Sequence, residues 1–76
     1  MDRATIKQLL QEAESRLHRG ERNIADQREL IGTLERRGQD AADAKSLLRR
    51  LEVRQARHIA DRNRLFLELA SASAEQ

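Results

Sequence analysis

The chain has 76 residues with no proline, cysteine, tryptophan or tyrosine, and 37% of its residues are charged while 1% are aromatic. This composition excludes disulfides and thiolate chemistry, and it leaves a single phenylalanine, Phe66, for a core that so short a chain can barely build alone. The net charge of +2 gives only weak long-range attraction to nucleic acid or anionic lipid, so any such attraction has to come from local clusters.

The first helix is predicted over about residues 3–37. Thr5 and Gln8 have the form of a capping box, with Asp2 as the alternative cap. Downstream, a 4,3 spacing of mostly apolar residues predicts a coiled-coil seam. Gly20 lies on this seam, where it either lets a partner backbone or a bulky side chain approach closely or is a tolerated weak spot. The seam positions are Ile6, Leu10, Ala13, Leu17, Gly20, Ile24, Gln27, Ile31 and Leu34.

A reversal of the chain is predicted at residues 38–40. Gly38 has the residue type that most often ends a helix, because it adopts the left-handed conformation at low cost. Asp40 can cap a new helix, and Asp43 places a second negative charge in its first turn. Such a short connection predicts that the two helices are antiparallel neighbours. The alternative is a kink at Gly38 in one long helix.

The second helix is predicted over about residues 41–70, followed by a frayed tail at 71–76 that lacks large apolar residues. Its seam is apolar at both ends and polar in the middle. That polar middle layer either fixes the register of the helices or is splayed and hydrated. The seam positions are Ala44, Leu48, Leu51, Gln55, His58, Arg62, Leu65 and Leu69, and the polar layer consists of Gln27, Gln55, His58 and Arg62.

Adjacent apolar pairs widen both seams and indicate a partner. Neighbouring residues on a helix point about 100° apart, so each pair can face two neighbouring helices, and one hairpin cannot bury both members. Two hairpins forming a four-helix bundle can, so we expect a homodimer. The residues predicted to support self-association are Leu9, Leu10, Leu17, Ile24, Leu30, Ile31, Leu47, Leu48, Leu51, Ile59, Leu65, Phe66 and Leu69.

Enzymatic chemistry is not expected from this sequence. His18 and His58 lie on opposite arms near acidic residues, but the spacing of inward Glu and Glu-x-x-His ligands is absent, so we expect no metal site. No nucleophile-base arrangement or glycine-rich phosphate loop can be assembled from a hairpin, so catalysis and cofactors are not expected either. No apolar run approaches the length that spans a bilayer, and the N-terminus is not a secretory signal, so we expect a cytoplasmic protein that does not bind membranes.

An arginine-rich second helix supplies the competing interpretation, a protein associated with nucleic acid. Its sequence is less basic than a bZIP basic region, because Glu52 and Asp61 interrupt it, and it offers no aromatic side chains for stacking on bases. The arginines concerned are Arg49, Arg50, Arg54, Arg57, Arg62 and Arg64.

A family resemblance runs from Leu17 to Leu69. It is carried by His18-Arg19-Gly20-Glu21-Arg22-Asn23-Ile24-Ala25-Asp26-Gln27-Arg28, Leu34, Gly38-Gln39-Asp40, Ala44, Leu47-Leu48, His58, Arg62 and Arg64-Leu65. This pattern resembles a family of very small uncharacterised bacterial proteins of alphaproteobacteria. That family usually has threonine where this chain has Ala41, which leaves Asp40 as the only good cap there. The resemblance implies a helical hairpin and no assigned activity.

Taken together, these features predict an all-α protein, an antiparallel two-helix hairpin resembling a coiled coil, which dimerises into a four-helix bundle. The function expected is non-catalytic protein–protein interaction, as a small adaptor or regulatory module. A further alternative is a subunit whose bundle is completed by a different protein.

Overall fold

Two long helices make up the structure, a computed structural model that describes residues 1–74. Helix α1 spans Arg3–Arg36 and helix α2 spans Ala42–Ala74. The helices pack against each other as an antiparallel pair, and the described part of the chain contains no strand. The molecule is a rod with Cα extents of 60 × 14 × 13 Å. The predicted all-α hairpin is therefore confirmed, and the alternative of one kinked helix is excluded.

Helix α1 begins with Asp2 rather than with the capping box at Thr5. The Asp2 Oδ1 atom accepts a hydrogen bond of 2.7 Å from the backbone N–H of Thr5, which is the geometry of an N-cap residue. Thr5 hence lies inside the first turn. Hydrogen bonding from Thr5, first through its side chain and then through its backbone, lowers the pKa of Asp2 below its ordinary value.

The end of α1 is a Schellman motif. Gly38 has φ of +68°, and its N–H donates to the carbonyl of Glu35 at 3.1 Å. The N–H of Gln39 donates to the carbonyl of Leu34 at 2.9 Å. This pair of bonds satisfies carbonyls that the helix end would otherwise leave unpaired, and it requires the left-handed residue that glycine supplies.

Helix α2 begins one residue later and ends four residues later than predicted. The carbonyl of Ala41 accepts the first helical bond from the N–H of Lys45, while Asp40 Oδ1 accepts from the N–H of Ala42 at 2.9 Å. Asp40 therefore caps α2 from the residue before the N-cap position, which Ala41 occupies. Where fraying was predicted from residue 71, the helix continues to Ala74, consistent with the high helix propensity of alanine. The rest of that predicted tail, 75–76, lies outside the described residues.

The core is the narrow seam between the helices. None of the large side chains among the described residues is less than 2% exposed, because each helix has only one neighbour. The buried residues of α1 fall on the predicted seam, and Ala41 extends the seam of α2 into the turn. The buried apolar residues are Ile6, Ala13, Leu17, Ile24, Ile31, Ala41 and Leu65.

Candidate interaction surfaces

Two glutamines of the polar middle layer join the helices by hydrogen bonds to the backbone. Gln55 Nε2 donates to the carbonyl of Leu17 at 2.9 Å, and Gln27 Nε2 donates to the carbonyl of Ala44 at 2.9 Å. One bond therefore runs from each helix to the other. Because the acceptors lie at defined heights along the rod, a slip of either helix would break both bonds.

Gly20 provides the space in which Gln55 lies. Gln55 is 8% exposed, and a Cβ atom built on Gly20 would overlap Gln55 Oε1 and lie 2.8 Å from Gln55 Cδ. Of the two interpretations left open for Gly20, the structure supports close approach of a bulky side chain. The buried Oε1 atom has no hydrogen-bond partner among residues 1–74 and lies against the backbone of Gly20, where only a weak Cα–H contact can form.

The other two members of the polar layer are half-buried and face different surfaces. His58 lines an open groove together with Gly20, Gln55 and arginines. Arg62 lines a groove with Glu14 and Glu21, and its Nε atom donates to Asn63 Oδ1 at 2.9 Å. The middle of the hairpin is thus held together by the two glutamines and is partly open to solvent around His58 and Arg62.

Ion pairs between the helices mark one long side of the rod. Arg28 Nη2 lies 3.5 Å from Glu52 Oε2, and Lys45 Nζ lies 3.2 Å from Glu35 Oε2. Both pairs are about half exposed, so each contributes at most about 1 kcal/mol to stability. We call this side the ion-pair flank.

Two large apolar side chains continue the ion-pair flank toward the chain termini. Ile59 and Phe66 follow Glu52 at heptad intervals, so they lie on the same side of α2. They are 41% and 59% exposed. Ile59 lines a groove with Glu14 and Glu21, and Phe66 lines a second groove with Glu14.

A second pair of exposed apolar residues lies on the opposite side. Leu30 and Leu47 follow Arg28 and Lys45 by two residues, a rotation of about 200°, so they point away from the ion-pair flank. They are 46% and 40% exposed. These two pairs therefore form no single continuous stripe, because Leu30 and Leu47 lie near the turn while Ile59 and Phe66 lie across the rod, between its middle and the termini.

Arginines cluster on the side that carries Leu30 and Leu47 and on the adjoining outer face of α2. One groove there, of about 340 Å³, is lined by Arg16, Arg19 and Arg54 with Asn23 and His58. An adjacent groove on α2 shares Arg54 and is lined by further arginines. Neither groove is lined by an acidic residue. We call these residues the arginine surface: Arg16, Arg19, Arg49, Arg50, Arg54 and Arg57.

The arginine surface differs from the set suggested by the second helix alone. Arg62 lies in the groove with Glu14, and Arg64 Nη2 lies 3.7 Å from Asp61 Oδ1, so neither belongs to it. Arg16 and Arg19 come from α1, and they are not among the arginines that the sequence alone suggests could bind nucleic acid. The heptad pattern contained the signal, since Arg16 and Arg54 both immediately precede a residue of the buried seam.

The residues predicted for self-association divide into three groups. Leu17, Ile24, Ile31 and Leu65 are buried between the helices of one hairpin and so stabilise the hairpin itself. The half-buried residues on or beside the seam are Leu9, Leu10, Leu48, Leu51 and Leu69. Only Leu30, Leu47, Ile59 and Phe66 are exposed enough to contact a second molecule extensively.

The histidines are not grouped with other side chains that could bind a metal ion in the described part of the chain. His18 Nδ1 lies 3.8 Å from Glu21 Oε2, and both side chains are largely exposed. Among residues 1–74 no three His, Cys, Asp or Glu side chains are grouped to hold a metal ion.

Neither described helix has an apolar stretch long enough to cross a membrane. No family model matches the chain, and no curated protein or solved structure that was compared with it matches either.

Proposed function

We propose that this protein is a non-catalytic interaction module, a small adaptor or regulator, which self-associates along its ion-pair flank into a dimeric four-helix bundle. The observation that carries the proposal is the exposure of Ile59 and Phe66 on a flank of mixed charge. Such exposed apolar residues on a thin rod are those that a second hairpin would cover.

The solvent-exposed area of the rod supports association with a second copy of the hairpin. The chain exposes 5791 Å². A compact monomer of 8.8 kDa exposes about 4,800 Å², so the rod form exposes about 1,000 Å² more. Each partner in a standard stable interface contributes about 800 Å². One flank covered by a second copy would thus remove the excess.

Charge favours the ion-pair flank over the opposite side. Two copies meeting on the arginine surface would bring arginine against arginine, which opposes association. On the ion-pair flank, an antiparallel second copy would bring Glu14 and Glu21 of one hairpin toward the Arg28–Glu52 and Lys45–Glu35 pairs of the other, where Arg28 and Lys45 can bridge carboxylates of both copies. This arrangement pairs opposite charges and covers Ile59 and Phe66 on both copies.

Sedimentation equilibrium across protein concentration, with helicity measured by circular dichroism on the same samples, tests the proposal. The variant I59Q/F66Q loses about 2 kcal/mol of apolar burial per copy, because each side chain is roughly half exposed in the hairpin. A dimer contains both copies and so loses about 4 kcal/mol, and we therefore expect its dissociation constant to rise by about two to three orders of magnitude.

The matched control is L30Q/L47Q, which removes two comparably exposed apolar side chains from the opposite side. We expect this control to dimerise like the unaltered chain. If the control dissociates and I59Q/F66Q does not, the flank assignment is wrong. A fully helical monomer at every concentration would refute self-association itself.

A further inference from the structure

Beyond self-association, we infer that the arginine surface binds the phosphodiester backbone of double-stranded nucleic acid. The surface combines both helices: Arg16 and Arg19 come from α1, and the remaining arginines come from α2. It extends from the side opposite the ion-pair flank onto the outer face of α2, so a dimer formed on that flank leaves all of it open except its border at Arg49.

Charge segregation on the rod is the first observation that supports this inference. The chain carries a net charge of only +2, yet six arginines and no acidic residue line the two grooves that meet at Arg54. The acidic residues Glu14 and Glu21 line the grooves beside Ile59 instead. A local cluster of one sign attracts a polyanion even when the net charge is small, because screening limits each charge to its near surroundings.

Few of these arginines are neutralised within the hairpin. Arg16 lies 3.9 Å from Glu12, at the limit of an ion pair. For the other five, the described residues provide no carboxylate within salt-bridge distance. Their guanidinium groups are therefore available to pair with an external anion.

The residue type points to phosphate. All six cations of the surface are arginine, whose planar fork binds phosphate oxygens through two hydrogen bonds. From Arg49 to Arg57 the helix rises about 12 Å, a distance along which one strand of a duplex presents about three or four phosphates. The spacing of the arginines thus matches a run of phosphates better than one isolated anion.

The absence of phenylalanine, tyrosine and tryptophan from the surface favours duplex over single strand. Phe66 is the only phenylalanine, tyrosine or tryptophan of the chain, and it lies on the ion-pair flank. Proteins that bind single strands rely on aromatic side chains for base stacking. Contacts by arginine to the backbone alone bind a duplex without reading its sequence.

Fluorescence anisotropy of a labelled DNA duplex of arbitrary sequence, titrated with the full chain, tests this inference, and an RNA duplex in a second arm distinguishes the two sources of phosphate. With about four phosphates neutralised, binding should weaken about a hundredfold between about 50 and 200 mM salt. The variant R49Q/R54Q/R57Q should lower the slope of log K against log[salt] by about three.

The control variant R3Q/R22Q/R36Q removes the same charge from exposed positions that line neither groove, and it should keep most of the binding and its salt slope. Equal losses in both triple variants would show diffuse attraction and overturn the site. No binding to either duplex at low salt would overturn the inference. The inference would also be overturned if the unaltered chain bound no duplex and R49Q/R54Q/R57Q dissociated the dimer. The arginine surface would then contact a second copy.

Discussion

Gly20 and Gln55 form the contact whose perturbation tests the structure most directly. Replacing a glycine inside a helix by alanine ordinarily stabilises the helix by about 1 kcal/mol. At Gly20 the added methyl group would occupy the position of Gln55 Oε1 and lie 2.8 Å from Gln55 Cδ. The side chain of Gln55 would have to move, because the backbone of Gly20 lies inside a helix and cannot shift easily.

The cost of moving Gln55 exceeds the gain in helix propensity. Its hydrogen bond to the carbonyl of Leu17 contributes about 1 kcal/mol, and overpacking a buried position costs about 1–3 kcal/mol. We therefore expect Gly20→Ala to lower the free energy of unfolding by about 1–2 kcal/mol. In a Gln55→Ala background the obstacle is gone, and the same substitution should raise it by about 0.5–1 kcal/mol.

Urea denaturation followed by circular dichroism measures these differences, at one fixed protein concentration because association shifts the apparent stability. The matched control is Gly32→Ala, where the new Cβ would meet only Arg36 Nη1 at 3.3 Å, the end of an exposed and flexible side chain. This control should stabilise the protein by about 1 kcal/mol. If Gly20→Ala stabilises the unaltered chain as much as Gly32→Ala does, Gln55 does not lie against Gly20.

Two further predictions concern the helix ends. Gly38→Ala should destabilise the protein by about 1 kcal/mol in the same urea assay, because alanine is disfavoured at φ of +68°, whereas Gly38→Asn should cost less; equal stabilities would exclude the left-handed cap. The lowered pKa of Asp2 means that its cap stabilises the folded state above its ordinary pKa of 3.8 and is lost as the pH falls through the lower folded-state value. Exchange of the Thr5 amide hydrogen should therefore gain protection with rising pH in this range, after correction for its intrinsic rate, whereas Asp2→Asn should remove that dependence; an unchanged dependence in the variant would assign it to another group.

The ends of the helices show how far local sequence signals reach. Gly38 identifies the end of α1, because a left-handed residue after basic residues has few alternatives. The choice between Asp2 and Thr5 could not be made, since both residues can accept a hydrogen bond from a backbone N–H in a first turn. Asp40 was identified as a cap, but its exact position depends on where Ala41 packs against the seam, which is a tertiary contact.

By itself, the sequence determined two helices, one reversal and the seam that joins them. Heptad spacing and glycine conformation act over a few residues, so they can be read without knowing the fold. Only the tertiary structure decided that Gln55 lies against Gly20 and that Arg16 and Arg19 join the arginines of α2. It also decided that the pair Ile59–Phe66 and the pair Leu30–Leu47 lie on opposite sides. These relations depend on the rotation and register of one helix against the other, which residues distant in sequence set together.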